Sequence, residues 1–257
     1  MAGELYSIVA GSLAQASRLE VVAHNLANAA TIGFKADIPV FQVTSPPRTP
    51  AGPGILPARS LASSPPELSI EGTYVTFVGV KADMSPGELR NTGNPLDVAI
   101  NGKGWFSIQT PRGIRYTRKG NFTLNNQGQL VTQDGLPVVG NQGPITLQGG
   151  TVKIDPHGAI TVDEQEVDQL KIVVPPSDDA FQKEESSLFA PKPGVAPVEA
   201  EATGDVKQGY VELSNVNVIK GMTELMDVLR AHESYQKVLQ ALNEAASRVI
   251  NDVGRLR

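Results

Sequence analysis

His232-Glu233 begins like the H-E-x-x-H helix of zinc hydrolases, where two imidazoles one turn apart hold the metal and the glutamate activates water. The place of the second imidazole is taken by Gln236, so the ligand pair is missing. The three histidines, His24, His157 and His232, fall in an N-terminal helical stretch, a turn and a C-terminal helical stretch. That scatter suits packing or solvent-facing roles, and no metal site is expected. "NGKGWF", Asn101 to Phe106, carries glycines and a lysine but lacks the G-x-x-x-x-G-K-[ST] spacing that wraps a phosphate, and it lies between strands. No G-x-S-x-G supplies a serine nucleophile. The acidic set Asp163, Glu164, Glu166 and Asp168 reads as a solvated turn. Asp83 and Asp97, two carboxylates on a β-scaffold, leave glycan cleavage as the one enzymatic alternative. Trp105, the single tryptophan, can line a sugar cleft beside Phe106, but on an alternating strand it suits a core or a subunit contact better. No catalytic residue and no cofactor are assigned.

Composition narrows the classes further. The 257 residues are 40% hydrophobic, enough for one large domain or two smaller ones. A net charge of −5 without a Lys/Arg stripe argues against nucleic acid as a partner. No stretch approaches the roughly 18 apolar residues that cross a bilayer. The start, "MAGELYSIVAGSLAQ", has an acidic residue before any base and no obvious cleavage site, so it does not read as a signal peptide. The chain has no cysteine, which removes disulfides and thiolate chemistry together.

Two helices are expected at the ends. Leu5, Ser12, Leu19 and Leu26 recur every seven residues beside Ile8, Gln15, Val22 and Ala29, a narrow, Ala-rich seam that suits another helix. From Val218 onward, Val218, Leu225, His232, Leu239, Ala246 and Val253 form one such track, and Val228, Tyr235, Leu242, Val249 and Leu256 form the next. Between the ends, Ile38 to Leu68 is rich in Pro, Gly, Ser and Ala and reads as an extended linker. Tyr74 to Val174 alternates apolar and polar residues over short runs, predicting antiparallel strands. Asp134-Gly135, Gly149-Gly150 and His157-Gly158 suit turns, and Asn125 to Gly128 suits a hairpin loop between Phe122–Leu124 and Leu130–Thr132. Pro175 to Asp205 reads as a second loose, low-complexity arm. The predicted fold is α+β, with terminal helices forming a coiled-coil-like module and a central all-β domain joined by extended linkers. Its expected boundaries are 1–35 and 211–257 for the helical module, 36–72 for the linker and 73–210 for the β-domain.

The segment "HNLANAATIGFK", His24 to Lys35, asks for more than a helix stop. Asn and Thr can hydrogen-bond nearby backbone, and Asn and Gly tolerate left-handed conformations, so this order can end a helix and turn the chain sharply.

Within it, Asn25, Leu26, Ala27, Asn28, Thr31, Gly33, Phe34 and Lys35 match the N-L-A-N-x-x-T-x-G-F/Y-K signature of the axial proteins of the bacterial flagellum, the rod and hook family. Ser214, Asn215, Val216 and Asn217 resemble that family's S-N-V-N, and "YTRKGNFTLNNQGQLV", Tyr116 to Val131, is similar to its central domain. The stretches "ADMSPGELRNTGNPLDVAI" and "DGLPVVGNQGPITL" look more like the proximal than the distal rod, and Pro46 to Pro66 lacks the insertion associated with distal-rod and some hook subunits. The resemblance implies a structural subunit without catalysis or cofactor, delivered by the flagellar type III export apparatus without a cleaved signal peptide. It implies self-association and contact with other rod subunits in the basal body, the rod crossing the periplasm and transmitting torque. The eight N-terminal and four C-terminal motif residues are the expected assembly motifs, and Leu5, Leu19, Leu26, Val218, Leu225, Leu239, Leu242 and Val253 the expected helix seam. A distal-rod or hook-type subunit is the alternative.

Overall fold

The computed structural model describes residues 2–44, 74–177, 179–184, 187–195 and 205–254. In chain order the elements are α1 (Ala2–Ala27), β1 (Asp37–Thr44), β2 (Tyr74–Ala82), β3 (Leu89–Asn91), β4 (Val98–Asn101), β5 (Trp105–Thr110), β6 (Gly113–Thr117), β7 (Thr123–Leu124) and β8 (Leu130–Val131). There follow β9 (Val152–Ile154), β10 (Ala159–Val162), β11 (Gln165–Gln169), β12 (Ile172–Val173), β13 (Phe181–Lys183), β14 (Phe189–Pro191), β15 (Asp205–Gln208), β16 (Tyr210–Glu212) and α2 (Val218–Gly254). Two helices at the ends and strands between them make the chain α+β, as expected. The linker residues 45–73 and the side chains of the seam positions Leu5 and Val253 lie outside the described residues.

The described residues fall into two compact units, one drawn from residues 1–21, 39–80 and 223–257, the other from 22–38 and 81–222. In the first, β1 and β2 pair as a two-stranded ribbon, with Phe41 and Phe77 edge to face at 5.8 Å. Strand β1 thus occupies the first residues of the stretch read as linker, its extended chain given a partner by β2. Arg18 of α1 reaches Glu224 of α2 with Nη2 to Oε1 at 2.6 Å. Tyr235 lies so close to Gly11 that a Cβ there would stand 2.8 Å from the ring. A larger residue at Gly11 would have to push the Tyr235 ring aside.

In the second unit, β5 and β6 form the centre of a five-stranded sheet ordered β12-β5-β6-β14-β13, and every pairing is antiparallel. Pairs β4 with β15 and β3 with β16 bring late chain back to early chain, and β9, β10 and β11 form a three-stranded sheet. The predicted hairpin is present, with Thr123 opposite Val131 and Leu124 opposite Leu130, and Gly128 at φ 75° closes its loop. One core gathers Val98, Ile100, Phe106, Ile108, Phe122 and Leu130 with Ile145, Leu147, Ile160 and Val206. Alternation explains it: every second residue of these short strands is apolar and turns inward.

A second core corrects the sequence reading of Pro175 to Asp205 as a loose arm. Phe181 and Phe189, on β13 and β14, are buried against Trp105 and Tyr116. The Phe181 and Tyr116 rings stack at 4.8 Å, and Trp105 lies 4.6 Å from Phe189. Two aromatics in a polar, proline-rich stretch hold it to the sheet, since each buries as much apolar area as several small residues. Trp105 is therefore a core residue.

Candidate functional site

The asparagine-rich corner is a joint within the second unit. Helix α1 stops where the Asn28 N–H donates to the carbonyls of His24 and Asn25, while the Asn28 side chain donates to the His24 carbonyl at 2.9 Å. Thr31 Oγ1 then donates to Asn28 Oδ1 at 3.2 Å. Asn25 exchanges two hydrogen bonds with the Asp37 backbone, at 2.8 and 2.7 Å, which fixes the start of β1 beside the helix end. Gly33 turns at φ 66° and gives its N–H to the Glu212 carbonyl at 2.7 Å; a Cβ there would lie 2.4 Å from the Lys119 nitrogen. No other residue type fits without moving backbone. Phe34 is buried, meets the His24 ring edge to face at 5.5 Å and lies under the Lys183 ammonium at 3.8 Å.

Lys35 goes to the bottom of the joint, 1% exposed. Its Nζ donates to Glu212 Oε1 and to the Ser85 carbonyl, both at 2.6 Å. The same Glu212 Oε1 accepts the Gly87 N–H at 2.9 Å, and Oε2 accepts Arg118 Nη1 at 3.1 Å. Arg118 also donates to the carbonyls of Ile100 and Gly102. Burial pushes both Lys35 and Arg118 below their ordinary range, with Glu212 opposing. Two cations thus share one carboxylate. At the joint's edge Lys183 donates to Asp37 Oδ1 at 2.8 Å and to the Lys35 carbonyl at 2.7 Å, and His24 Nδ1 lies 2.9 Å from Asp37 Oδ2. Burial likewise lowers Lys183.

The second motif closes the joint from the other end of the chain. Asn215 Oδ1 accepts the Ala36 N–H at 2.8 Å, and its amide donates to the Asp83 carbonyl at 3.0 Å and to Ser85 Oγ at 3.0 Å. Ser214 Oγ accepts the Val216 N–H at 3.3 Å. Asn217 caps α2, its Oδ1 accepting the Lys220 N–H at 3.0 Å, which satisfies one of the donors that a helix start leaves open. Eleven of the twelve motif residues have a hydrogen bond or ring contact of this kind, Val216 through its N–H to Ser214, or, as with Leu26 against Gly221, a close approach. Ala27 is exposed and Val216 half-buried.

Sequence reasoning missed the partners. Glu212, Arg118, Asp37 and Lys183 carry the charges that meet the motifs, and their signal was a charged residue inside an apolar or strand-like run, as in "YVEL" and "YTRKG". Among the expected seam positions, Leu19, Leu225 and Leu239 are half-buried, whereas Val218 and Leu242 are 41% and 36% exposed. Ile219, Met222, Met226 and Leu229 add further exposed apolar surface on α2. Asp83 and Asp97 do not form a pair of free acids. Asp83 Oδ1 accepts the Ser85 N–H, and Asp97 is buried in its own turn, accepting from Thr92 and Asn94. Asp168 corrects the solvated-turn reading: it is 8% exposed and accepts the N–H groups of Gln169 and Gln142, while Asp163, Glu164 and Glu166 are exposed. Among the described residues no helix is long and apolar enough to cross a membrane, and no cluster of His, Asp and Glu has the form of a metal site.

Three family descriptions match the chain in order along it: "Flagella basal body rod protein" at residues 5–35, "Flagellar hook protein FlgE/F/G D1 domain" at 99–175 and "Flagellar basal body rod FlgEFG protein C-terminal" at 207–252. The chain is 30% identical over 259 residues to the flagellar basal-body rod protein FlgF of Caulobacter vibrioides, covering 100% of both chains. It is 35% identical over 248 residues to FlgG of Agrobacterium fabrum, covering 92% of this chain and 94% of that one. It is 31% identical over 257 residues to FlgF of Rhizobium meliloti, covering 98% of each. The outer two matched segments contain the two motifs that the joint ties together. The chain belongs to the flagellar basal-body rod protein family.

Proposed function

We propose that this chain is a structural subunit of the proximal flagellar rod, assembling with copies of itself and with other rod proteins into the shaft that carries motor torque. The observation that carries the reading is full-length similarity to proteins named FlgF, with the family's terminal segments bound into one joint by Lys35, Glu212 and Asn215. In this reading residues 1–35 and 211–257 form a coiled-coil-like module in the polymer, 36–72 link it to the β-domain and 73–210 form that domain. The exposed apolar residues of α2, Val218, Ile219, Met222 and Leu242 among them, then meet neighbouring subunits. The type III export apparatus delivers the chain to the basal body, where the rod crosses the periplasm. No catalysis and no cofactor enter. The 35% identity to a FlgG favours a second reading, a distal-rod subunit. Deletion of the gene tests both: loss of swimming with arrest before the distal rod supports the proximal reading, arrest with a short distal rod supports the second, and a complete rod and hook rejects both.

A further inference from the structure

The two terminal helices run antiparallel where they meet. Leu26 approaches Gly221, Arg18 bonds Glu224 and Gly11 faces the Tyr235 ring, so the numbers fall along α1 as they rise along α2. A helix turns about 100° per residue, so a side chain two positions from a contact points to the far side. Val9 and Leu13, each two positions from Gly11, are exposed. Met222 and Met226, each two positions from Glu224, are exposed as well, and Leu229 continues their row. Leu13, Met222 and Met226 each leave more than half of their surface to solvent. Both helices of the pair thus carry a second apolar stripe, turned away from the seam they share.

The stripes suit each other. Val9 and Leu13 are four residues apart, Met222 and Met226 likewise, and rows of that spacing interlock between two helices. Methionine, unbranched and polarizable, adapts to the surface it meets. Each stripe lies on the side of its own helix away from the other helix, so the pair offers one apolar flank of α1 and one of α2. When the α1 flank of one copy meets the α2 flank of the next, the contact repeats the antiparallel α1–α2 pairing already present inside the chain. The two flanks differ, so the contact is head to tail and propagates.

We infer that the α1 stripe of a second copy, Val9 and Leu13, packs on Met226, Met222 and Leu229 of α2. The stagger follows from the numbering. Met222 and Met226 flank Glu224, whose partner within the chain is Arg18, whereas Val9 and Leu13 flank Gly11, seven residues earlier. Bringing the stripes level displaces the neighbour along the helix axis by about 10 Å, at 1.5 Å per residue. A displaced copy winds the assembly into a helix rather than closing a flat ring. Five side chains bury far less than the roughly 1,200 Å² of a lasting two-chain complex. The contact therefore holds where the polymer repeats it, and the free chain stays a monomer. The inference rests on the proposed function and deepens it, naming the element of the neighbour that covers α2.

The chain has no cysteine, so an engineered pair reports the contact without background from the chain itself. Leu13→Cys/Met222→Cys replaces the natural chain in cells, basal bodies are purified under mild oxidation, and the chain is followed by non-reducing electrophoresis with the bonded peptides read by mass spectrometry. The expected result is a ladder of dimers and higher multiples joined between residues 13 and 222. It is absent from either single variant and from Leu13→Cys/Lys237→Cys, whose second site lies about 22 Å further along α2, beyond the reach of a disulfide. Val9→Cys/Met226→Cys, the other facing pair, gives the same ladder and serves where the first pair impairs assembly. A dimer from Met222→Cys alone, an equal ladder from the Lys237→Cys control, a bond closed within one chain, or no ladder from either facing pair in basal bodies that contain the chain overturns the contact and leaves the proposed function standing. Basal bodies of swimming cells that lack the chain overturn the proposed function, and this contact with it.

Discussion

Replacing Glu212 by Gln changes one oxygen for an NH2 at the centre of the joint. Glu212 is 1% exposed and accepts from three donors: Lys35 Nζ at 2.6 Å, the Gly87 N–H at 2.9 Å and Arg118 Nη1 at 3.1 Å. Glutamine can keep its oxygen toward Lys35 and Gly87, but it then presents N–H groups to the Arg118 N–H groups. Two buried cations are left without a counter-charge, and removing one partner of a buried ion pair costs about 3–5 kcal/mol. Lys35→Met removes one cation and leaves Glu212 its Arg118 and Gly87 bonds, so it costs less, about 1.5–3 kcal/mol, the range for a hydrogen bond to a charged group. Urea unfolding of the full chain at pH 7, followed by the emission of the single tryptophan in β5, reads both as midpoint shifts at constant slope. The predicted order is Glu212→Gln well below Lys35→Met, and Lys35→Met below wild type. A Glu212→Gln loss under about 1 kcal/mol, or a Lys35→Met loss exceeding it, would show that the joint is not held by a shared carboxylate.

Gly33→Ala forces a Cβ to 2.4 Å from the Lys119 nitrogen, whereas Gly135→Ala, at φ 79°, meets nothing within 4 Å. Thermal unfolding should therefore show a loss of about 1 kcal/mol at Gly135 from backbone strain alone, and a clearly larger one at Gly33; equal losses refute the close approach. The Arg115 hydrogen bond, at 2.8 Å, holds the Glu184 carboxyl below its ordinary range. The unfolded chain then binds the proton more readily, so this contribution is fully present above the ordinary carboxylate range, about pH 4.3, and is lost as pH falls below that through the lower range of the folded chain. Glu184→Gln should lower the unfolding temperature modestly at pH 7 and progressively less as the pH is taken into acid, and a difference undiminished by acid contradicts the pairing. Leu239 is half-buried on α2 and Lys237 exposed. Leu239→Asp should abolish rod assembly and swimming at normal protein levels, since a buried Leu contributes about 1.5–3 kcal/mol and a charge there costs more, while Lys237→Asp swims; equal swimming removes α2 as an assembly surface.

The helices and most strands were legible because their signals are local. Heptad-spaced Leu225 and Leu239 announce α2, and the run from Phe122 to Thr132 spells strand, loop and strand within eleven residues. Phe181 and Phe189 were lost in a polar, proline-rich window, because composition averages over residues while two aromatic rings decide the packing. The corner at His24 to Lys35 was legible as a sharp turn, and Asn25, Asn28 and Gly33 act as their chemistry suggests. Its purpose was not legible without the resemblance, since Lys35 meets Glu212 across 177 positions and Asn215 meets Ala36 across 179. Local pattern carries no information about which distant charge answers a lysine.

The most direct measurement is on basal bodies purified from swimming cells, with the rod resolved by electron cryomicroscopy and its protein content by mass spectrometry. The expected result is this chain in the rod, its Lys35–Glu212–Arg118 cluster closed and the apolar face of α2 covered by neighbouring subunits. Fully assembled rods from motile cells that lack the chain, or that hold it with α2 facing solvent, would contradict it.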